Sequence, residues 1–133
     1  MELVRAGRAL LLRESPDAKP HLWFVITDPE GTPPRVIAVM LRTAQHFTDP
    51  TVVLAPGDHP FIHHESSVHY STARWFSVNA ISKAFLAGHC SLQADMSAPL
   101  LTRVRDGLLR SQFTVNALRE DCRRCFGESP QSR

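Results

Sequence analysis

Through the first seventy positions, apolar residues come in short runs, either unbroken and rich in β-branched and aromatic side chains or alternating with polar ones, and each run stops at turn-forming residues. Leu3-Val4 followed by Ala9-Leu10-Leu11-Leu12 predicts one strand, closed by the set Ser15-Pro16-Asp17-Ala18-Lys19-Pro20. His21-Leu22-Trp23-Phe24-Val25-Ile26-Thr27 predicts a second, ending at Asp28-Pro29-Glu30-Gly31, and Arg35-Val36-Ile37-Ala38-Val39-Met40-Leu41-Arg42 a third. Thr51-Val52-Val53-Leu54 is a fourth, stopped by Pro56-Gly57-Asp58, and Ser66-Ser67-Val68-His69-Tyr70 alternates as a half-exposed strand does. Several short strands in close succession imply a small barrel.

From Ser77 the apolar period lengthens from two to about 3.6. Val78, Ile81 and Phe85 share one helical face, with Ser77 placed as N-cap and Gly88 as the residue after the C-cap. Ser97 and Pro99 open a second helix whose apolar stripe, Leu101, Val104 and Leu108, stands opposite Arg103, Asp106 and Arg110. A third carries Val115, Leu118, Cys122 and Cys125 at spacings of three and four. The pattern therefore predicts an α+β chain, mainly β, as a small barrel with C-terminal helices: a single domain over residues 1–126, then a frayed tail over 127–133.

A length of 133 residues with 43% hydrophobic positions suits one domain with its own core, independent of disulfide or metal. No apolar run approaches the roughly 18 residues of a membrane span, and Met1 to Arg5 lacks the apolar centre of a signal peptide. The expected location is the cytoplasm, away from membranes, and the odd cysteine count of three agrees with reduced thiols. The net charge of +2 is unevenly spread, with six basic against eight acidic residues over 1–70 and nine against five over 71–133. Thirteen of the 15 basic residues are Arg, the side chain suited to forked contact with phosphate or carboxylate.

The densest chemistry lies between Gly57 and Tyr70, where His59, His63, His64 and His69 place four of the seven histidines within eleven positions. Histidine titrates near neutral pH, so two such rings flanking a phosphate supply an acid and a base. The same loop is also readable as solvated surface, or as metal ligands Asp58, His59 and His63, although it lacks the helical HExxH spacing. Cys122-Arg123-Arg124-Cys125 has the spacing of half a zinc site, with His89-Cys90 available to complete it, yet both cysteines also fall on an apolar helical stripe where Cys packs as a small hydrophobe. Trp23 and Trp75 are expected in the core, and the arginines from Arg103 to Arg124 on a solvated face. Arg74 follows the histidine segment on a strand expected to carry it toward Thr43.

Over about residues 7–111, the order of elements resembles the MazF/PemK family of toxins. Four places carry the resemblance: Gly7-Arg8-Ala9-Leu10-Leu11-Leu12, Lys19-Pro20-His21-Leu22-Trp23-Phe24-Val25-Ile26, Arg35 through Leu41-Arg42-Thr43, and Ser67-Val68-His69-Tyr70 through Trp75-Phe76. The resemblance implies an SH3-like barrel and a homodimeric endoribonuclease that cuts single-stranded RNA without metal or cofactor, as the toxin of a type II toxin-antitoxin pair silenced by an antitoxin protein. By position it assigns catalysis to Lys19 and Thr43, with His21 and Arg42 as substrate-binding neighbours. Ser15 to Lys19 departs from the family pattern in having no glycine and one Lys instead of a basic pair, and a Lys offers a point charge in place of a planar fork. His63 is therefore added as a catalytic acid or base, and His59, His69 and Arg74 as substrate contacts. The competing readings are a non-catalytic module of the same barrel that binds a protein or nucleic acid, and a metal-dependent enzyme built on the histidine loop.

Overall fold

A computed structural model describes residues 3–44 and 49–127; of the frayed tail expected over 127–133, all but Gly127 lies outside them. The elements are β1 (Ala9–Leu12), β2 (His21–Val25), β3 (Arg35–Thr43), β4 (Val53–Leu54), β5 (Ser66–Ser77), α1 (Val78–Leu86), β6 (Cys90–Gln93), α2 (Ala98–Arg110) and α3 (Asn116–Cys125). All six strands join one curled, antiparallel, half-barrel sheet in the order β4-β5-β3-β2-β1-β6.

The unbroken apolar runs of β2 and β3 have a direct cause. Side chains alternate between the two faces of a strand, and here both faces are covered. Leu22, Phe24 and Ile26 join Ile37, Val39 and Leu41 in one core with Leu100, Val104 and Leu108 of α2 and Leu118 and Cys122 of α3. Trp23, Val25, Val36, Ala38 and Met40 form a second core on the opposite face, under Ile81 of α1. Trp23 is buried, whereas Trp75 is half-buried, with the Arg35 guanidinium 3.9 Å from its ring centre.

The helix signals act as expected from their chemistry. Ser77 Oγ accepts the Ala80 N–H at 3.1 Å and Ser97 Oγ the Leu100 N–H at 3.2 Å, each satisfying one orphan donor of a first turn. Gly88 follows the C-cap of α1 at a φ of +84°, where a Cβ is disfavoured. Within α2, Gly107 has another role: a Cβ there would stand 2.3 Å from the Tyr70 hydroxyl and 2.4 Å from Val52 Cγ2. Its bare backbone lets the helix approach β5 closely enough for Tyr70 to donate to the Val104 carbonyl at 2.8 Å.

Three elements differ from the sequence expectation. Leu3-Val4 form a bend before β1, with Val4 buried in the second core. Strand β5 runs as one element from Ser66 to Ser77, merging the Ser66–Tyr70 strand with the strand expected to carry Arg74 and Trp75, across a break in its register with β3 between Ala38 and Met40. At that break Thr72 Oγ1 accepts the Met40 N–H at 3.1 Å and donates to the His69 carbonyl at 2.6 Å, replacing a ladder partner. The third is β6, which pairs with β1 through four residues where no strand was expected. No described helix is long and apolar enough to cross a membrane.

Candidate functional site

Register alone brings distant segments to one end of the sheet. Trp23 pairs with Met40 in antiparallel sense, so the start of β2 and the end of β3 are neighbours. Thr43 pairs with Ser66, so the chain entering β5 lies at the same end. There Lys19, Pro20 and His21 precede or begin β2, Arg42 and Thr43 end β3, and Phe61 to His64 form the opposing wall of a cleft of about 560 Å³ that Ser66 also lines. The floor is apolar, made of Leu22, Leu41 and Ile62, all buried, while Lys19, Arg42, Thr43, His63 and His64 are exposed around it. The volume falls in the range of about 300–1,000 Å³ usual for small-molecule sites.

Of the eight residues given catalytic or substrate-binding roles from the sequence, Lys19, His21, Arg42, Thr43 and His63 line this cleft together. The other three lie elsewhere. His59 is 2% exposed, its Nε2 donating to the Ala94 carbonyl at 2.6 Å and its Nδ1 accepting the Phe61 N–H at 3.1 Å. A carbonyl only accepts, so these partners assign the neutral ring with its proton on Nε2. The ring also packs 5.7 Å from that of Phe24. With the Ile62 N–H bonded to its own carbonyl at 2.9 Å, His59 ties the histidine loop to the core. Asp58 secures the preceding turn by accepting the Ala55 N–H at 2.8 Å and standing 3.5 Å from Arg103.

His69 sits opposite Met40, half-buried, and its Nδ1 has no hydrogen-bond partner. Burial holds its pKa below the ordinary 6.5, the positive charge of Arg42 acts in the same direction, and Asp49 opposes both. Arg74 pairs in register with Ala38 rather than near Thr43. It bonds Glu14 at 2.6 Å, and its guanidinium stands 4.8 Å from the Trp23 ring centre and 4.6 Å from that of Phe76.

The cysteines are packed among other groups. Burial pushes the Cys122 thiol up to about 12 and the Cys90 thiol up to about 11. Cys125 is raised as well, by burial first and then by its contact with Glu30. Among the described residues no group of three or more His, Cys, Asp and Glu side chains is arranged to hold a metal ion.

Neither the family models, the curated proteins nor the solved structures contain a match to this chain. Lys19, Arg42, Thr43, His63 and His64 line one cleft with apolar side chains, and cations, a hydroxyl and imidazoles are the group types that can pair with an anion and exchange protons. Sequence reasoning did not assign Phe61, His64 or Ser66 to it. The adjacency of His64 to His63 is a signal for the loop wall, whereas Ser66 and the apolar floor emerge only from the strand register.

Proposed function

We propose that the chain is a MazF/PemK-like endoribonuclease on an SH3-like barrel, cutting single-stranded RNA in the cleft between Lys19, Thr43 and His63. One observation carries the reading: these three residues, named from separate parts of the sequence, line one cleft together with His21 and Arg42. In the reaction the RNA 2′-oxygen bonds to phosphorus and the phosphorus–5′-oxygen bond breaks, leaving a 2′,3′-cyclic phosphate and a 5′-hydroxyl. A base takes the 2′ proton and an acid delivers one to the 5′-oxygen. His63 serves as one of these, with His21 or His64 within the same cleft for the other. Lys19 and Arg42 neutralise the phosphorane charge, and the Thr43 hydroxyl donates to a non-bridging oxygen. The resemblance adds homodimerisation and silencing by an antitoxin protein.

The test is incubation of purified protein with single-stranded RNA in the presence of a chelator. The expected result is cleavage with 2′,3′-cyclic phosphate ends, reduced by about 10²-fold or more in His63→Ala and strongly in Thr43→Ala. Binding without cleavage would replace the enzyme by the non-catalytic module of the same fold, and absence of both would remove RNA from the account.

A further inference from the structure

Phe61 is a large apolar side chain left 39% exposed at the wall of a cleft otherwise rimmed by cations and hydroxyls. A lone exposed aromatic needs no explanation on a protein surface. This one is held in place. Its backbone N–H is bonded to the ring of His59, which is itself buried and tied to Ala94, and the next N–H, that of Ile62, closes the turn on the His59 carbonyl. Pro60 before it fixes one more backbone dihedral. Behind it, buried Ile62, Leu22 and Leu41 continue an apolar surface into the cleft. An exposed aromatic side chain on a braced loop, lining one cleft with apolar residues, Lys19, Arg42 and two histidines, supplies the two kinds of group that bind a single-stranded nucleic acid: a π system for a base and cations for the adjoining phosphate.

We infer that Phe61 is the stacking platform of a base subsite, holding an unpaired nucleobase next to the phosphate that Lys19 and Arg42 receive. This rests on the ribonuclease reading and adds the determinant that makes the substrate single-stranded, since a base paired in a helix has no free face to offer. Stacking tolerates any base, so the subsite selects for an unpaired nucleotide rather than for a sequence.

The experiment measures fluorescence-anisotropy binding of short labelled 2′-O-methyl RNA oligomers, which lack the attacking hydroxyl, and of an abasic oligomer of equal length. The proteins are wild type, Phe61→Ala, Phe61→Leu and Phe61→Tyr, and thermal melts of all four confirm that each is folded at the temperature of the assay. The expected result is a loss of about tenfold in affinity for Phe61→Ala, a comparable loss for Phe61→Leu, retention in Phe61→Tyr, and no difference among the four on the abasic oligomer. Tight wild-type binding with Phe61→Ala or Phe61→Leu within about twofold of it overturns the stacking role and leaves the ribonuclease reading standing. Failure of wild type to bind any oligomer overturns that reading, and this inference with it.

Discussion

Replacing His59 with alanine separates the architecture of the histidine loop from its chemistry. The substitution removes an imidazole that is 2% exposed, leaves the Ala94 carbonyl and the Phe61 N–H without their partner, and opens a void beside Phe24. Two hydrogen bonds at about 1 kcal/mol each, plus about 2 kcal/mol for an unfilled large-to-small site at the low end of the usual range, give a loss of about 4 kcal/mol. For a domain of this size that corresponds to a fall in melting temperature of about 12–20 °C. His59→Gln keeps a donor at about the reach of Nε2, so it should recover part of the loss. His63→Ala, four residues away and exposed, should stay within about 0.5 kcal/mol of wild type. Thermal denaturation followed by circular dichroism reads all three. Equal melting of His59→Ala and His63→Ala, or a His59→Ala loss below about 1 kcal/mol, would refute the assignment of His59 as the anchor of the cleft wall.

Other consequences are similarly direct. Gly107→Ala would normally strengthen a helix by about 1 kcal/mol, but the new methyl would collide with Tyr70 and Val52, so the account expects net destabilisation of about 2 kcal/mol or more, measured by urea denaturation. Adding Tyr70→Phe, which deletes the nearest colliding atom, should recover part of that loss, making the two changes non-additive. His69 has a folded-state pKa below its unfolded value, so the unfolded chain binds the extra proton. Its contribution is present above about pH 6.5 and is lost as pH falls through the folded value; His69→Gln should flatten the stability profile below that pH. The thiols of Cys90, Cys122 and Cys125 are all raised, so native protein should react with a thiol reagent at neutral pH far more slowly than denatured protein.

Local chemistry made much of the fold legible in the sequence. The β2 and β3 runs, the serine caps of α1 and α2, and Leu118 and Cys122 of the α3 stripe each depend on residues close in the chain, and each forms as expected, whereas Val115 of that stripe is the exposed N-cap of α3 and Cys125 is only half-buried. What escaped notice depends on long-range pairing. Cys90-Ser91-Leu92-Gln93 has little strand pattern of its own and becomes β6 because the free edge of β1 lies beside it. That Ser66–Tyr70 and the strand carrying Arg74 and Trp75 are one continuous β5 is masked by the register break, which the Thr72 hydroxyl patches. The site shows the same division. Lys19, Thr43 and His63 were reached through the family resemblance and the histidine density, and the fold brings all three to the lining of one cleft. Sequence density could not separate His59 from His63, because only the contacts with Phe24 and Ala94 turn one ring inward. Nor could it place Arg74, whose guanidinium is engaged by Glu14 and the Trp23 and Phe76 rings.

The most direct measurement of the central claim is an amide chemical-shift titration of the isotope-labelled protein with an uncuttable single-stranded RNA oligomer. The perturbed amides should cluster at His21-Leu22, Leu41 to Thr43 and Phe61 to Ser66, with the Gly31 to Arg35 end of the sheet unmoved. Perturbations centred on that opposite end, or a spectrum unchanged at saturating RNA, would contradict it.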